Sequence, residues 1–218
     1  MTDVLIYGMG QIGNAVAATL ELHDGIRILG FIDDEEKRWG SELRDYPCIG
    51  GREALADHPN ASVMLAIGQV DARRKVGSWL ESERVTQISA IHPTAVLPVD
   101  CEVGVGSIVG ALAVLYVNCK IGRGVFVGPG AIISHDTIVG DYALVSAGST
   151  VGARVDIEEG GFVGAGATVM SPGWGADSRL RIGRDAVVGA GTVVLRNVED
   201  RSVVFGVPAR HLRYRDIT

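Results

Sequence analysis

The stretch from Ile91 to about Val198 is built on a large aliphatic residue at every sixth position, unbroken as far as Val169. The series runs Ile91, Leu97, Val103, Val109, Leu115, Ile121, Val127, Ile133, Val139 and on through Val169. Four residues after each lies a second register of mostly small residues, among them Ala95, Cys101, Ser107, Ala113, Cys119, Ala131 and Ala143. Two nested registers of this length define a hexapeptide repeat. Each hexad predicts one short flat strand and one tight corner. Three hexads close a triangular coil that pairs its backbone with the coils above and below, about 4.8 Å away. One coil cannot bury its own aliphatic face, but a stack can. Glycine often holds the second place of a hexad, as at Gly104, Gly110, Gly122 and Gly164, where it reads as a corner residue with unusual dihedrals.

The register breaks once. After Val169 the next hexads begin at Ile182, Val188 and Val194. The gap places the extra residues within Ser171–Asp177, a loop pushed out of the coil with Trp174 near its tip. It reads either as a tolerated insertion or as a functional loop on a rigid scaffold.

Ahead of the repeat the period changes. Asp3–Tyr7 is a short apolar strand, and Gly8-Met-Gly-Gln-Ile-Gly13 leads into an apolar-periodic helix to about Leu22. Ile26–Ile32 is a second strand ending in Asp33-Asp34. A glycine-rich turn between strand and helix, with an acidic residue some twenty positions on, is the dinucleotide fingerprint in its expected context. The glycines admit a phosphate close to the backbone, and the helix start offers free N–H groups. Asp33 is placed to hold a ribose or sugar hydroxyl. A third strand over Ser62–Ile67 and a helix from about Asp71 to Glu81 complete the segment. Only about 88 residues precede the repeat, whereas a full dinucleotide fold needs two βαβαβ halves. A mononucleotide or nucleotide-sugar therefore fits better than NAD. A purely structural glycine turn is the other reading. The expected architecture is an α/β Rossmann-like half-domain, residues 1–88, followed by a parallel β-helix, residues 89–218.

Composition narrows the function. Thirty glycines follow from the repeat. A net charge of −6 without basic clusters argues against nucleic acid. Apolar runs are short, so no membrane span is expected. Met1-Thr-Asp lacks a basic start, so no signal peptide is expected and a cytoplasmic location fits. Three cysteines do not make a disulfide framework. Cys101 and Cys119 should stack in adjacent coils as small buried thiols.

A repeat of Gly, Ala and Val is poor in reactive groups, which makes its exceptions informative. His135 is the single histidine between His92 and His211. It takes the third place of its hexad, near a corner, facing outward. Imidazole titrates near neutrality and can take a proton from an attacking amine or hydroxyl. Asp136 is the candidate to orient the ring; a polar surface pair is the alternative. Ala153 should sit one coil above His135, with its N–H or that of Gly152 near enough to polarise a bound carbonyl. No residue set points to a metal.

These residues carry a family resemblance. The chain resembles the left-handed β-helix acyltransferases, and more closely the sugar acetyltransferases of NeuD and PglD type. The likeness rests on Ile6-Tyr-Gly8, Phe31-Ile-Asp33-Asp34, Ala66-Ile-Gly68 with Arg73, and Ile91-His-Pro-Thr-Ala95. It continues through Ser134-His135-Asp136, Ile138-Val-Gly-Asp141 and Gly206-Val-Pro-Ala-Arg210. The resemblance implies a left-handed coil and a homotrimer with acetyl-CoA as co-substrate. It implies a nucleotide-sugar held by Gly8, Gly10, Gln11, Ile12, Asp33, Asp34 and Gly68. It implies His135 as general base, Asp136 as its support, and Leu144, Ala153, Ala165 and Ala190 along the CoA arm. Four features depart from the family pattern. Ser134 replaces a common Glu, and Leu144 stands where PglD-like members carry a second His. Val127-Gly-Pro129 replaces Asn-Thr-Gly, and the glycine-rich loop has Gly10 and Gln11-Ile12 in place of Ser and Gly-His. The expected activity is N-acetylation of a nucleotide-linked amino sugar. The alternatives are O-acetylation of a sialic-acid-type sugar and an inactive scaffold trimer.

Overall fold

The computed structural model describes residues 1–173 and 178–215. It forms two compact units, Met1–Pro93 and Thr94–Thr218.

In the first unit, β1 (Thr2–Tyr7), β2 (Ile26–Ile32) and β5 (Ser62–Leu65) form a parallel sheet in the order β2-β1-β5. A small hairpin, β3 (Glu42–Leu43) and β4 (Tyr46–Pro47), lies between the second and third of these in sequence. The helices are α1 (Gln11–Leu20) and α2 (Val70–Ser82). Leu5, Ile6, Val63 and Leu65 are fully buried. Their unbroken apolar runs are what a parallel strand covered on both faces requires. Strand order reverses at β1, so the crevice where such sheets bind ligands opens at its carboxyl end, where the glycine-rich loop begins. The sequence pattern found all three strands and both helices and missed the hairpin.

The second unit is the expected coil. Its first face stacks Glu102–Val103, Lys120–Ile121, Ile138–Val139, Val155–Ile157 and Leu180–Ile182. Its second stacks Ile108–Val109, Phe126–Val127, Leu144–Val145, Phe162–Val163 and Val187–Val188, continued by Ser202–Phe205 and the antiparallel Arg210–Tyr214. Its third stacks Val114–Leu115, Ile132–Ile133, Thr150–Val151, Thr168–Val169 and Val193–Val194. Apart from the antiparallel Arg210–Tyr214, the pairings along each face are parallel, and before the break in register they align residues eighteen apart, as Lys120 with Ile138. Val127, Ile133, Val145, Val151, Val163 and Val169 are all fully buried. Ile133→Ala should therefore cost about 2–5 kcal/mol, seen as a lower melting temperature or urea midpoint.

Two details correct the sequence reading. The second-place glycines are not the residues with unusual dihedrals. Positive φ falls instead at the fourth place of most hexads, at Leu112, Asn118, Asp136, Tyr142 and Arg154 as well as at Gly106, Gly124 and Gly148. The second-place glycines serve close stacking. A Cβ on Gly104 would lie 2.6 Å from the Gly122 carbonyl carbon, and one on Gly164 would lie 2.5 Å from Ala190 N. The break in register is as expected: Asp156 pairs with Arg181 and Val169 with Val194. The described chain leaves the third face after Val169 and rejoins the first face at Leu180. The expected tip residue, Trp174, lies outside the described residues.

Cys101 and Cys119 stand in consecutive coils as free thiols. Burial pushes the Cys101 thiol up to about 11, with Cys119 adding to the shift. A thiol that stays protonated at neutral pH is a packing group rather than a nucleophile.

Candidate active site

His135 sits on the edge between the third and first faces, directly after the strand Ile132–Ile133. Its side chain is 49% exposed. The ring Nδ1 lies 2.8 Å from Asp136 Oδ2. Hydrogen bonds from His135 and then from Asn118 hold the Asp136 carboxyl below the usual carboxylate range. An ionised carboxylate can only accept, so Nδ1 carries the proton and the neutral ring keeps its lone pair on Nε2. That is the tautomer a general base needs.

Asp136 is held from several sides. Its Oδ1 accepts from Asn118 Nδ2 at 3.1 Å. Its N–H donates to Val117 O at 3.2 Å, and its carbonyl accepts from Arg179 Nη2 at 2.7 Å. Arg179 also makes two bonds to Asp156, at 2.6 and 2.7 Å. A shallow cavity of about 580 Å³ adjoins this corner, lined by Asn118, Asp136 and Arg179 together with Asp100, Glu102 and Lys120. Neither Asn118 nor Arg179 was singled out from the sequence. The first was within reach, because one coil period back from Asp136 is Asn118. The second was hidden by the break in register.

Ala153 lies one coil above His135, where Arg154 N–H donates to His135 O at 3.1 Å. The amides expected to polarise a carbonyl there are engaged. Gly152 N–H donates to Val169 O at 2.8 Å and belongs to the ladder between coils. Ala153 N–H donates to Ser171 Oγ at 2.9 Å, and rotation of that hydroxyl would release it. The remaining positions expected along a CoA arm lie elsewhere on the coil. Ala165 and Ala190 are stacked on the edge between the second and third faces, where Gly191 N–H donates to Ala165 O at 2.9 Å. Leu144 lies on the second face, in register with Phe126 and Phe162, and is 8% exposed. A single chain thus carries these residues on two edges and one face, and only Ala153 adjoins His135.

The glycine-rich loop of the first unit is built by close approach. A Cβ on Gly8, at φ +110°, would lie 2.8 Å from Ala66 O, and one on Gly13 would lie 2.1 Å from Gly8 O. Only glycine lets α1 pack this tightly on β1. Gly10 is the N-cap of α1 and offers no side-chain cap, so the first-turn amides of Gln11 and Ile12 have no acceptor within the helix. Gly68 approaches the Ile12 side chain, and Arg73, itself buried, donates to the Ile67 and Gly68 carbonyls at 2.9 Å. The loops after β1 and β5 therefore converge as expected.

Asp33 is buried, and its carboxylate already has partners. It accepts from Met9 N–H at 2.7 Å, Glu35 N–H at 2.9 Å and Arg38 Nη1 at 3.2 Å. It fastens the glycine-rich loop to the end of β2. Asp34 is more exposed, accepts from Tyr7 Oη at 2.7 Å and pairs with Arg52 at 2.7 Å. Burial, reinforced by Asp34, pushes the Tyr7 hydroxyl well above its usual range.

Comparison with known proteins follows the same division. Residues 3–80 match the PglD N-terminal domain, and residues 118–153 match the bacterial transferase hexapeptide (six repeats). The chain thus carries a PglD N-terminal domain followed by a hexapeptide repeat. No curated protein matches it in sequence. Among solved structures it is similar to a histidine-to-alanine variant of GDP-perosamine N-acetyl transferase from Caulobacter crescentus in complex with CoA and GDP-perosamine. That likeness has 28% identity, 98% coverage of both chains and a TM-score of 0.88. It is also similar to the acetyltransferase domain of PglB from Neisseria gonorrhoeae, with 25% identity, 97% and 100% coverage and a TM-score of 0.84. WeeI from Acinetobacter baumannii shares the fold at 24% identity, 97% and 100% coverage and a TM-score of 0.71. The fold is a Rossmann-like half-domain followed by a left-handed parallel β-helix. Among its described residues no helix is long and apolar enough to cross a membrane.

Proposed function

We propose that the protein is an acetyl-CoA-dependent N-acetyltransferase acting on a nucleotide-linked amino sugar. The observation that carries this reading is the His135–Asp136 pair, with its ionised carboxylate on Nδ1. It stands on a hexapeptide coil whose chain also contains a PglD N-terminal domain. The similar enzyme from Caulobacter, described with CoA and GDP-perosamine, supports both substrate classes.

In this reading the glycine-rich loop and the free first-turn amides of α1 hold the phosphates, with Asp33 keeping the loop in place. The thioester of the acyl donor supplies an activated carbonyl carbon. His135 Nε2 accepts the proton released as the sugar amine forms its new C–N bond, and passes it to the sulfur as the C–S bond breaks. No acyl-enzyme is required. Ala165 and Ala190 lie on a different edge from His135 and Ala153. An acyl donor that meets all four bridges two copies, which favours the homotrimer, and sedimentation should find three chains. O-acetylation of a sugar hydroxyl, which the same base at His135 would serve, is the second reading.

The test is free-thiol release from acetyl-CoA against UDP-, GDP- and dTDP-linked amino sugars and free sialic acid. Turnover with one nucleotide-linked amino sugar is the expected result. Turnover with sialic acid alone would replace this reading with O-transfer.

A further inference from the structure

We propose that Asn118 is a positioning residue for the base, fixing the Asp136 carboxylate from the coil below so that His135 presents Nε2 unprotonated; the proposal rests on the assignment of His135 as base. The carboxylate has two oxygens with separate duties. Oδ2 faces His135 Nδ1 at 2.8 Å, and Oδ1 faces Asn118 Nδ2 at 3.1 Å. A carboxylate held at one oxygen alone can turn about its last bond and swing off the ring. Held at both, it is locked in the plane that the imidazole needs. The coil period puts Asn118 in place, since it is eighteen residues before Asp136 and on the same corner.

The backbone gives no other reason for asparagine here. Asn118 has φ +58°, a conformation asparagine tolerates well. However, the same place in other hexads holds Leu112, Tyr142 and Arg154 at nearly the same φ, so the corner itself does not demand it. What distinguishes Asn118 is its carboxamide, a neutral donor that binds Asp136 without competing for its charge. A cationic donor there would neutralise the carboxylate and weaken its hold on the imidazolium that forms during proton transfer. Arg179 binds Asp136 through the carbonyl instead, and its charge is directed to Asp156.

The test uses Asn118→Gly, which removes the carboxamide but is at ease at positive φ, with Asn118→Ala as a second variant. Both should lower kcat about 10- to 100-fold, the loss of one hydrogen bond to a charged group. KM for both substrates should stay within about two-fold. The ring-nitrogen NMR shifts of His135 should move from one tautomer toward a mixture. In an Asp136→Asn background, Asn118→Gly should cost nothing further. Wild-type kcat and unmoved ring signals in Asn118→Gly would overturn the proposal. The NMR readout does not need turnover. If the wild-type enzyme transfers acetyl to none of the amino sugars, the functional reading fails, while an unchanged tautomer would still be a separate failure of the positioning role.

Discussion

His135→Ala lowers kcat/KM for acetyl transfer by about 10²–10⁴-fold, the range expected when a general base is removed. The side chain is half exposed and hydrogen-bonds to its neighbour Asp136. Its loss should therefore leave the melting temperature nearly unchanged, so the fall in rate reports chemistry rather than folding. The pH dependence of the residual rate separates the two acceptor classes. An amine acceptor becomes a nucleophile by its own deprotonation, so the variant should recover part of its rate as pH rises. A hydroxyl acceptor stays protonated over that range, and the variant should remain slow. Acetyl-CoA thiol release between neutral and alkaline pH checks both. A variant as active as the wild type would remove His135 from the mechanism.

Asp33→Ala raises KM for the nucleotide-sugar by about 10- to 100-fold, while KM for acetyl-CoA stays within about two-fold. The reasoning starts from burial. The carboxylate accepts from Met9 N–H and Glu35 N–H in a site that is almost closed to water. Hydrogen bonds to a buried charge are worth about 1.5–3 kcal/mol, and their removal leaves both amides unpaired. Met9 lies between Gly8 and Gly10, so the disorder falls on the loop that would hold the phosphates. Asp33→Asn keeps one acceptor and should lose less. Separate titrations of the two substrates are the check. An equal loss for both would argue that the two ligands are not divided between the glycine-rich loop and the coil.

The sequence was most legible where its period is rigid. A six-residue repeat has one way to bury Ile133, Val139 and Val145 together, and the eighteen-residue register that follows is seen in every pair of coils before the break. The glycine-rich turn was equally clear, because Gly8 and Gly13 answer to contacts made by their own neighbours in the βαβ unit. The second-place glycines were found for the wrong reason. Their constraint comes from the coil stacked above, eighteen or more residues away, rather than from their own dihedrals. The hairpin over Glu42–Pro47 was missed because two-residue strands carry no period.

Within the candidate site the same boundary holds. The sequence by itself determined the coil, the half-domain before it, the outward corner that carries His135, and Asp136 beside it. These depend on spacing along one strand or one repeat. The tertiary structure decided which hydrogen-bonding groups were already engaged. It engaged the Asp33 carboxylate with the Met9 amide of the glycine-rich loop, and it gave the Ala153 amide to Ser171. It also brought Asn118 and Arg179 to Asp136 from other coils. Hydrogen bonds have a reach of about 3 Å and specific directions. A periodic sequence fixes which corner a residue occupies, whereas the partner of each polar atom is chosen by the three-dimensional packing of corners against one another.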